Sequence, residues 1–228
     1  MVASVAPVTP PVLASGVKSF TYGRFTVRVE GDIQVVEHSP MLKKEMPTVL
    51  PHLASQAHAI FVNYTTKELM YYKRTADGTY DPIIGYAVMT PFSSVLPKEV
   101  VRGKVQSIVH KPTWCPKRGG TVVKERPELT GQGCFPHGHP LNAMGDWRFD
   151  IVWDTPGWEL NKLHGVGGYA PGAFWTEKTH GCIRLTNPEI AHLIELLGPN
   201  AIKEGIEIIV FKGTAPEKAN ERPFRPGD

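Results

Sequence analysis

Along the first half of the chain, short runs of apolar residues alternate with polar ones at a period of two; a helical period appears clearly once, near the end. Phe20, Phe25, Val27 and Val29 alternate with polar neighbours, and Gly31-Asp32 leads into Ile33-Gln34-Val35-Val36, which predicts a hairpin. Met41 to Gln56 is ambiguous, since a helix there would be broken by Pro47 and Pro51. From Ala59 the β pattern strengthens. Ile60–Tyr64, Leu69–Tyr72 and Ile83–Val88 are aromatic and β-branched runs parted by turn residues at 65–67 and at Asp77-Gly78, and they predict an antiparallel meander. Further strands are expected at Val105–Val109 and Phe149–Trp153. The helix comes late: Ile190, Leu193, Ile194 and Leu197 recur at i, i+3, i+4 and i+7, with Asn187 as the expected N-cap, Pro188 at the first helical position and Gly198-Pro199 as the stop. Ile206–Phe211 predicts a closing strand.

Between these elements, Pro112 to Gly145 is rich in Gly and Pro and predicts long loops able to wall or cover a site. The organisation expected is a flexible Pro-rich lead-in at 1–17, an extension at 18–57, a main domain at 58–213 and a flexible tail at 214–228. The extension either packs on the main domain as extra strands, the favoured arrangement, or forms a small docking element.

Composition narrows the partners. With 41% hydrophobic and 21% charged residues the chain is not wholly disordered. Its net charge of +3 is spread without any Lys/Arg block, so nucleic-acid binding is not expected. No run of about 18 apolar residues occurs, so no transmembrane segment is predicted. Met1 to Ser15 lacks a positive n-region and is interrupted by Pro7, Pro10 and Pro11, so no secretory signal is legible there.

Three cysteines, Cys115, Cys134 and Cys182, leave at least one thiol free. Cys115 and Cys134 would close the Gly/Pro-rich loop if bridged, and two reduced thiols are equally compatible with the sequence. Cys182 stands in Thr179-His180-Gly181-Cys182-Ile183-Arg184, and fourteen residues separate Thr179 from His164. A thiol reacts as thiolate and needs an imidazole or a positive dipole to lose its proton near neutral pH. His164 could reach it through folding. Gly181 allows a sharp turn that exposes backbone N–H groups suited to an oxyanion.

This spacing resembles the signature of the YkuD-type L,D-transpeptidases, in which a histidine precedes Ser/Thr-His-Gly-Cys by a similar interval. The resemblance extends over roughly residues 59–212: Ile60–Tyr72 is similar to the family's opening strands, Pro136–Trp147 with Pro140-Leu141-Asn142-Ala143-Met144-Gly145 to its loop upstream of the histidine, and Asn187 to Phe211 to its C-terminal end. The fold implied is mainly β, a sandwich or mixed sheets with one or two packed helices and a long loop over the active site. The resemblance implies Cys182 as acyl acceptor and His164 as its general base, with the Gly165 carbonyl orienting the imidazole and His180, Gly181 and Cys182 giving N–H groups to the oxyanion hole. Thr179, Arg184, Trp175 and Asn142 are implied at the substrate, Arg184 against a carboxylate. The implied substrates are peptidoglycan stem peptides, and the acceptor is an amine of a second stem or of an anchored protein, or else water. Neither cofactor nor metal is expected, and the place of action is the periplasm or cell envelope. One stretch departs from the pattern: Met89-Thr90-Pro91-Phe92-Ser93-Ser94-Val95-Leu96-Pro97 stands where the family has a Thr-Pro-x-Gly turn, which puts substrate preference in question more than the chemistry.

Rival readings remain. His137-Gly138-His139 with Cys134 could belong to a zinc site of a metallopeptidase, although no second ligand pair appears at metal spacing. A wall-binding module without catalysis would leave Cys182 an ordinary thiol. His52, His58, His110 and His192 are expected on surfaces or in structural hydrogen bonds.

Overall fold

The computed structural model describes residues 19–22, 25–30, 33–38, 46, 53–90, 100–117, 120–125, 129–131, 133–158, 161–166, 179 and 181–212. Strands β1 (Ser19–Tyr22), β2 (Phe25–Glu30) and β3 (Ile33–His38) pair antiparallel in the order β1-β2-β3, as the hairpin pattern predicts for the last two. They form a sheet of their own.

The main sheet has eight strands in the order β10-β9-β8-β7-β11-β4-β5-β6. β4 (His58–Asn63), β5 (Glu68–Arg74) and β6 (Tyr80–Ala87) make the predicted antiparallel meander. β7 (Val101–His110) pairs antiparallel with β8 (Trp147–Trp153), and β9 (Leu163–His164) follows β8 antiparallel. β10 (Ile183–Arg184) runs parallel to β9. β11 (Ile206–Phe211) enters the middle, antiparallel to β7 and parallel to β4.

That central place explains two strands without alternation. Every residue of β4 and of β11 is buried, because both faces of the sheet are covered there. Ile60, Val62, Ile208 and Val210 face one core, with Leu69, Tyr71, Phe149 and the helical residues Ile190, Leu193 and Leu197. Ala59, Phe61, Ile209 and Phe211 face a second core, with Met70, Tyr72 and Met46. Glu207 is the charged exception within β11. Its carboxylate accepts the backbone N–H groups of Ser55 and Gln56, the latter at 2.7 Å, and Arg102 stands 3.8 Å away, which compensates its burial. At the start of β4, buried His58 donates Nε2–H to Glu204 at 2.9 Å and accepts from the Tyr71 hydroxyl at 2.8 Å, the structural hydrogen bonding expected of it.

The sheet curls until its two ends touch. Just past β6, Met89 and Arg184 exchange backbone hydrogen bonds of 3.0 and 2.9 Å across an isolated antiparallel bridge, so β10 is held on both sides. The fold is thus mainly β, as expected, with a mixed sheet and few helices: α1 (Thr121–Glu125), α2 (Asn187–Leu197) and α3 (Ala201–Glu204). α2 is the predicted helix; α1 and α3 lack a sequence signal because each is barely one turn. No helix among the described residues is long and apolar enough to cross a membrane.

The N-cap differs from expectation by one residue. Thr186, in extended conformation, accepts from Glu189 N–H through Oγ1, and the Glu189 carboxylate accepts the Thr186 N–H at 3.1 Å, a reciprocal capping box. Asn187 is therefore inside the helix start, and its side chain is free for other work. Cys115 and Cys134 form a disulfide, closing the Gly/Pro-rich loop next to a Trp114–Phe135 backbone bridge. The lead-in 1–17, the tail 214–228, most of Met41–Gln56 and the departing stretch from Pro91 to Pro97 lie outside the described residues.

Candidate active site

Two strands of two residues each build the site. In the parallel pair, Ile183 is in register with Leu163 and Arg184 with His164, fixed by Ile183 N–H to the Lys162 carbonyl at 2.8 Å and Leu185 N–H to the His164 carbonyl at 3.1 Å. The fourteen-residue gap of the sequence is thereby bridged, and Cys182 sits one residue ahead of the strand that flanks His164.

His164 is 1% exposed, and its Nδ1 lies 2.5 Å from the Gly165 carbonyl oxygen. A carbonyl only accepts, so Nδ1 carries the proton and Nε2 keeps its lone pair. Burial, reinforced by the Arg184 charge, pushes the imidazole pKa down to about 3, while hydrogen bonds to the Gly165 and Met144 backbones act in the opposite direction. The ring is neutral at neutral pH and able to take a proton.

With Cys115 and Cys134 bridged, Cys182 is the free thiol. Burial raises its pKa above the ordinary value, opposed by a hydrogen bond to the Lys162 backbone and by the Arg184 and Lys162 charges. At rest the thiol and the imidazole are therefore both neutral. A pair in this state stores no thiolate beforehand.

The loop before Cys182 is tightly specified. Gly181 has φ +149°, and a Cβ there would stand 2.1 Å from Asn161 Oδ1, so both conformation and space require glycine. Thr179 is fully buried: its hydroxyl donates to the Cys182 carbonyl, it receives a long 3.4 Å bond from Gly181 N–H, and its own N–H reaches the Thr90 carbonyl. Thr179, expected at the substrate, lies in the cysteine loop and staples it. Asn142, expected there too, is 3% exposed and braces the long loop, donating to the Pro112 and Phe135 carbonyls at 3.0 and 2.9 Å and accepting from Met144 N–H at 2.8 Å. His180 and Trp175 lie outside the described residues.

Arg184 is 9% exposed, yet its Nε and Nη1 have no hydrogen-bond partner among the described residues. A buried guanidinium with unused donors favours an anionic partner. The zinc reading loses its thiol ligand, since Cys134 is in the disulfide; His137 Nε2 instead pairs with Asp146 at 2.9 Å and His139 Nδ1 accepts from Leu141 N–H. The described residues contain no cluster of three or more His, Cys, Asp or Glu suited to a metal.

Several residues near the site carry no motif. Tyr64, whose buried hydroxyl has no partner among the described residues, has its pKa raised first by burial and further by any charge on Cys182, and it stacks on Trp158 with ring centroids 6.2 Å apart. Asn161 fills the space beside Gly181, and the Asn187 amide bonds Asp146 and Val166. Only register and packing bring these together, which one-dimensional spacing does not reveal.

Comparison with known proteins places these features in a family. Among solved structures, similar folds include Bd1075 from Bdellovibrio bacteriovorus (14% identity, TM-score 0.42, covering 68% of this chain and 48% of that one). The helical cell shape determining protein Pgp2 from Campylobacter jejuni matches at 12% identity and TM-score 0.42, covering 71% of this chain and 49% of that one. An L,D-transpeptidase (Yku) from Stackebrandtia nassauensis matches at 18% identity and TM-score 0.38, covering 72% and 60%. This chain thus spans between about half and three-fifths of the length of those structures. No curated protein matches it. The model of the YkuD family, the L,D-transpeptidase catalytic domain, matches residues 57–210, well over half of the chain and the whole of the stretch that holds His164 and Cys182, and the chain therefore belongs to that family.

Proposed function

We propose that this protein is a cysteine-dependent L,D-transpeptidase acting on peptidoglycan tetrapeptide stems, with Cys182 as nucleophile and His164 as general base. The observation that carries this reading is the β9–β10 register, which sets the cysteine loop beside a neutral imidazole whose Nδ1–H is held by Gly165.

The thiol proton passes to His164 Nε2 as Sγ attacks the carbonyl carbon of the L,D bond between the third residue, a diamino acid, and the fourth, D-Ala. Backbone N–H groups at His180, Gly181 and Cys182 stabilise the oxyanion; among the described residues the Gly181 N–H has only its long bond to Thr179 to give up. Collapse breaks the C–N bond, His164 returns its proton to the departing amine, and D-Ala leaves a Cys182 thioester. An amine from a second stem or an anchored protein then attacks, giving its proton through His164 to the thiolate. If water attacks instead, the product is a tripeptide and the enzyme is a carboxypeptidase.

Arg184 suits a substrate carboxylate, because stem peptides are anionic and its buried Nε and Nη1 have no partner among the described residues. The family supports a wall substrate. The Cys115–Cys134 disulfide fits an oxidising compartment, so we place the protein in the periplasm or envelope.

The test is mass spectrometry after incubation with disaccharide-tetrapeptide and, separately, with a carbapenem. Loss of D-Ala, a cross-linked dimer and an adduct on Cys182 are expected, all absent in Cys182→Ala and insensitive to chelator. An adduct that persists in Cys182→Ala, or turnover that chelation abolishes, would overturn the reading; tripeptide without dimer would assign hydrolysis.

A further inference from the structure

Because Thr186 caps α2, the Asn187 amide is not needed by the helix and turns to two other segments. Its Oδ1 accepts from the backbone N–H groups of Asp146 and Val166, each at 3.1 Å, and its Nδ2 donates to the Val166 carbonyl at 3.2 Å. Both segments are shaped to admit it. A Cβ on Gly165 would stand 2.1 Å from Asn187 Oδ1, and one on Gly145, where φ is +65°, would stand 2.4 Å from it. The amide has one orientation only, since a flip would aim its NH2 at two N–H donors.

The Val166 N–H and the Gly165 carbonyl belong to one planar peptide unit. The Gly165 oxygen is the acceptor of His164 Nδ1–H. We propose that Asn187 is a positioning residue for His164: by holding the Val166 N–H it fixes the plane of the Gly165–Val166 peptide, and with it the carbonyl that sets the tautomer and aim of the imidazole. The hydrogen bond from Asp146 N–H joins the end of the disulfide-closed loop to the same anchor. This role rests on the reading of His164 as base, and acts through it without touching substrate.

Asn187→Asp keeps the acceptor for both N–H groups and gives up the bond that Nδ2 donates to the Val166 carbonyl, whereas Asn187→Ala removes both; neither touches the Thr186–Glu189 cap. The experiment measures Cys182 acylation by a carbapenem in single-turnover mode, against concentration and pH, for the parent, both variants and His164→Ala. Expected is a fall of about tenfold to a hundredfold in the maximal acylation rate for Asn187→Ala, with the half-saturating concentration unchanged, and recovery to within about threefold in Asn187→Asp. Gly165→Ala should slow the parent, where the new methyl meets Asn187, more than it slows Asn187→Ala, where that collision is gone. A parent-like maximal rate in Asn187→Ala, or equal losses in the Ala and Asp variants, would overturn the positioning role. Should Asn187→Ala not fold, the Asp variant and the Gly165→Ala measurement in the parent decide, an unslowed Gly165→Ala counting against the role. Equal rates for the parent and His164→Ala would overturn the base itself, a result distinct from the others.

Discussion

The Nδ1 of His164 lies 2.5 Å from the carbonyl oxygen of Gly165, its own neighbour in the chain, where a triad enzyme would place a carboxylate. A carbonyl orients the ring without adding negative charge beside it. The backbone hydrogen bonds at Gly165 and Met144 offset burial and the Arg184 charge only in part, and the imidazole stays neutral with a pKa near 3.

A pH profile follows from that neutrality. The base fails only when protonated, so the acylation rate of Cys182 should show no loss centred on the ordinary histidine range as pH falls from 8 to 5; the acid limb should appear only toward pH 3. Acylation by a carbapenem is the step to measure, because full turnover also reports the ionisation of the acceptor amine. Circular dichroism at each pH separates unfolding from titration. A half-loss between pH 6 and 7 in folded protein would show that His164 ionises as an ordinary imidazole.

Arg184 gives a linked pair of expectations. Replacing it with Met leaves the cavity filled but removes the donors and the charge, and should lower kcat/KM for stems with free carboxylates by about tenfold to a hundredfold. The loss should shrink for stems whose carboxylates are amidated. The same change removes a charge that holds the His164 pKa down, so the acid limb should move to higher pH. Steady-state kinetics on paired substrates and the acylation profile check the two effects. Equal losses on both substrates would remove the carboxylate contact.

How the chain encodes these features differs from element to element. β4, β5 and β6 announce themselves because aromatic and β-branched runs are bounded by turn residues, and α2 because its stripe is long and capped. Ile206–Phe211 is legible as a strand, but its place between β7 and β4 comes from long-range pairing; apart from Glu207 the run is apolar without alternation, the mark of burial on both faces. β9 and β10 are too short for any period. His164 and Cys182 are legible through their spacing and the family likeness. Asn187 and Tyr64 have no spacing signal, and Asn187 and Thr186 are both residue types favoured at an N-cap. Thr186 wins because Glu189 stands three residues after it and completes the box.

The disulfide should matter to stability more than to chemistry. It closes a loop with its cysteines 19 residues apart and flanks the Trp114–Phe135 bridge, to which Asn142 is tied. Cys115→Ser/Cys134→Ser should cost about 2–4 kcal/mol, read from urea melts. Cys182 remains the free thiol, so acylation of the folded variant should persist.

Glu189 offers the last test, and its sign is unusual for a carboxylate. Burial raises its pKa from 4.5 to about 7, with the Thr186 hydrogen bonds opposing the shift. A group whose folded pKa exceeds its unfolded one binds more protons in the folded state, so its contribution is full below about pH 4.5 and is lost as pH rises through 7. Over that window the parent should lose up to about 3 kcal/mol relative to Glu189→Gln, which cannot ionise. Gln retains an acceptor oxygen for the Thr186 N–H, so the capping box survives in the variant and the comparison isolates charge. Urea melts of both proteins at pH 4.5, 6 and 8 measure the difference. A gap between the two that stays constant across that range would mean that the Glu189 carboxyl titrates alike in the folded and unfolded chains, with hydrogen bonds from Thr186 balancing the cost of its burial.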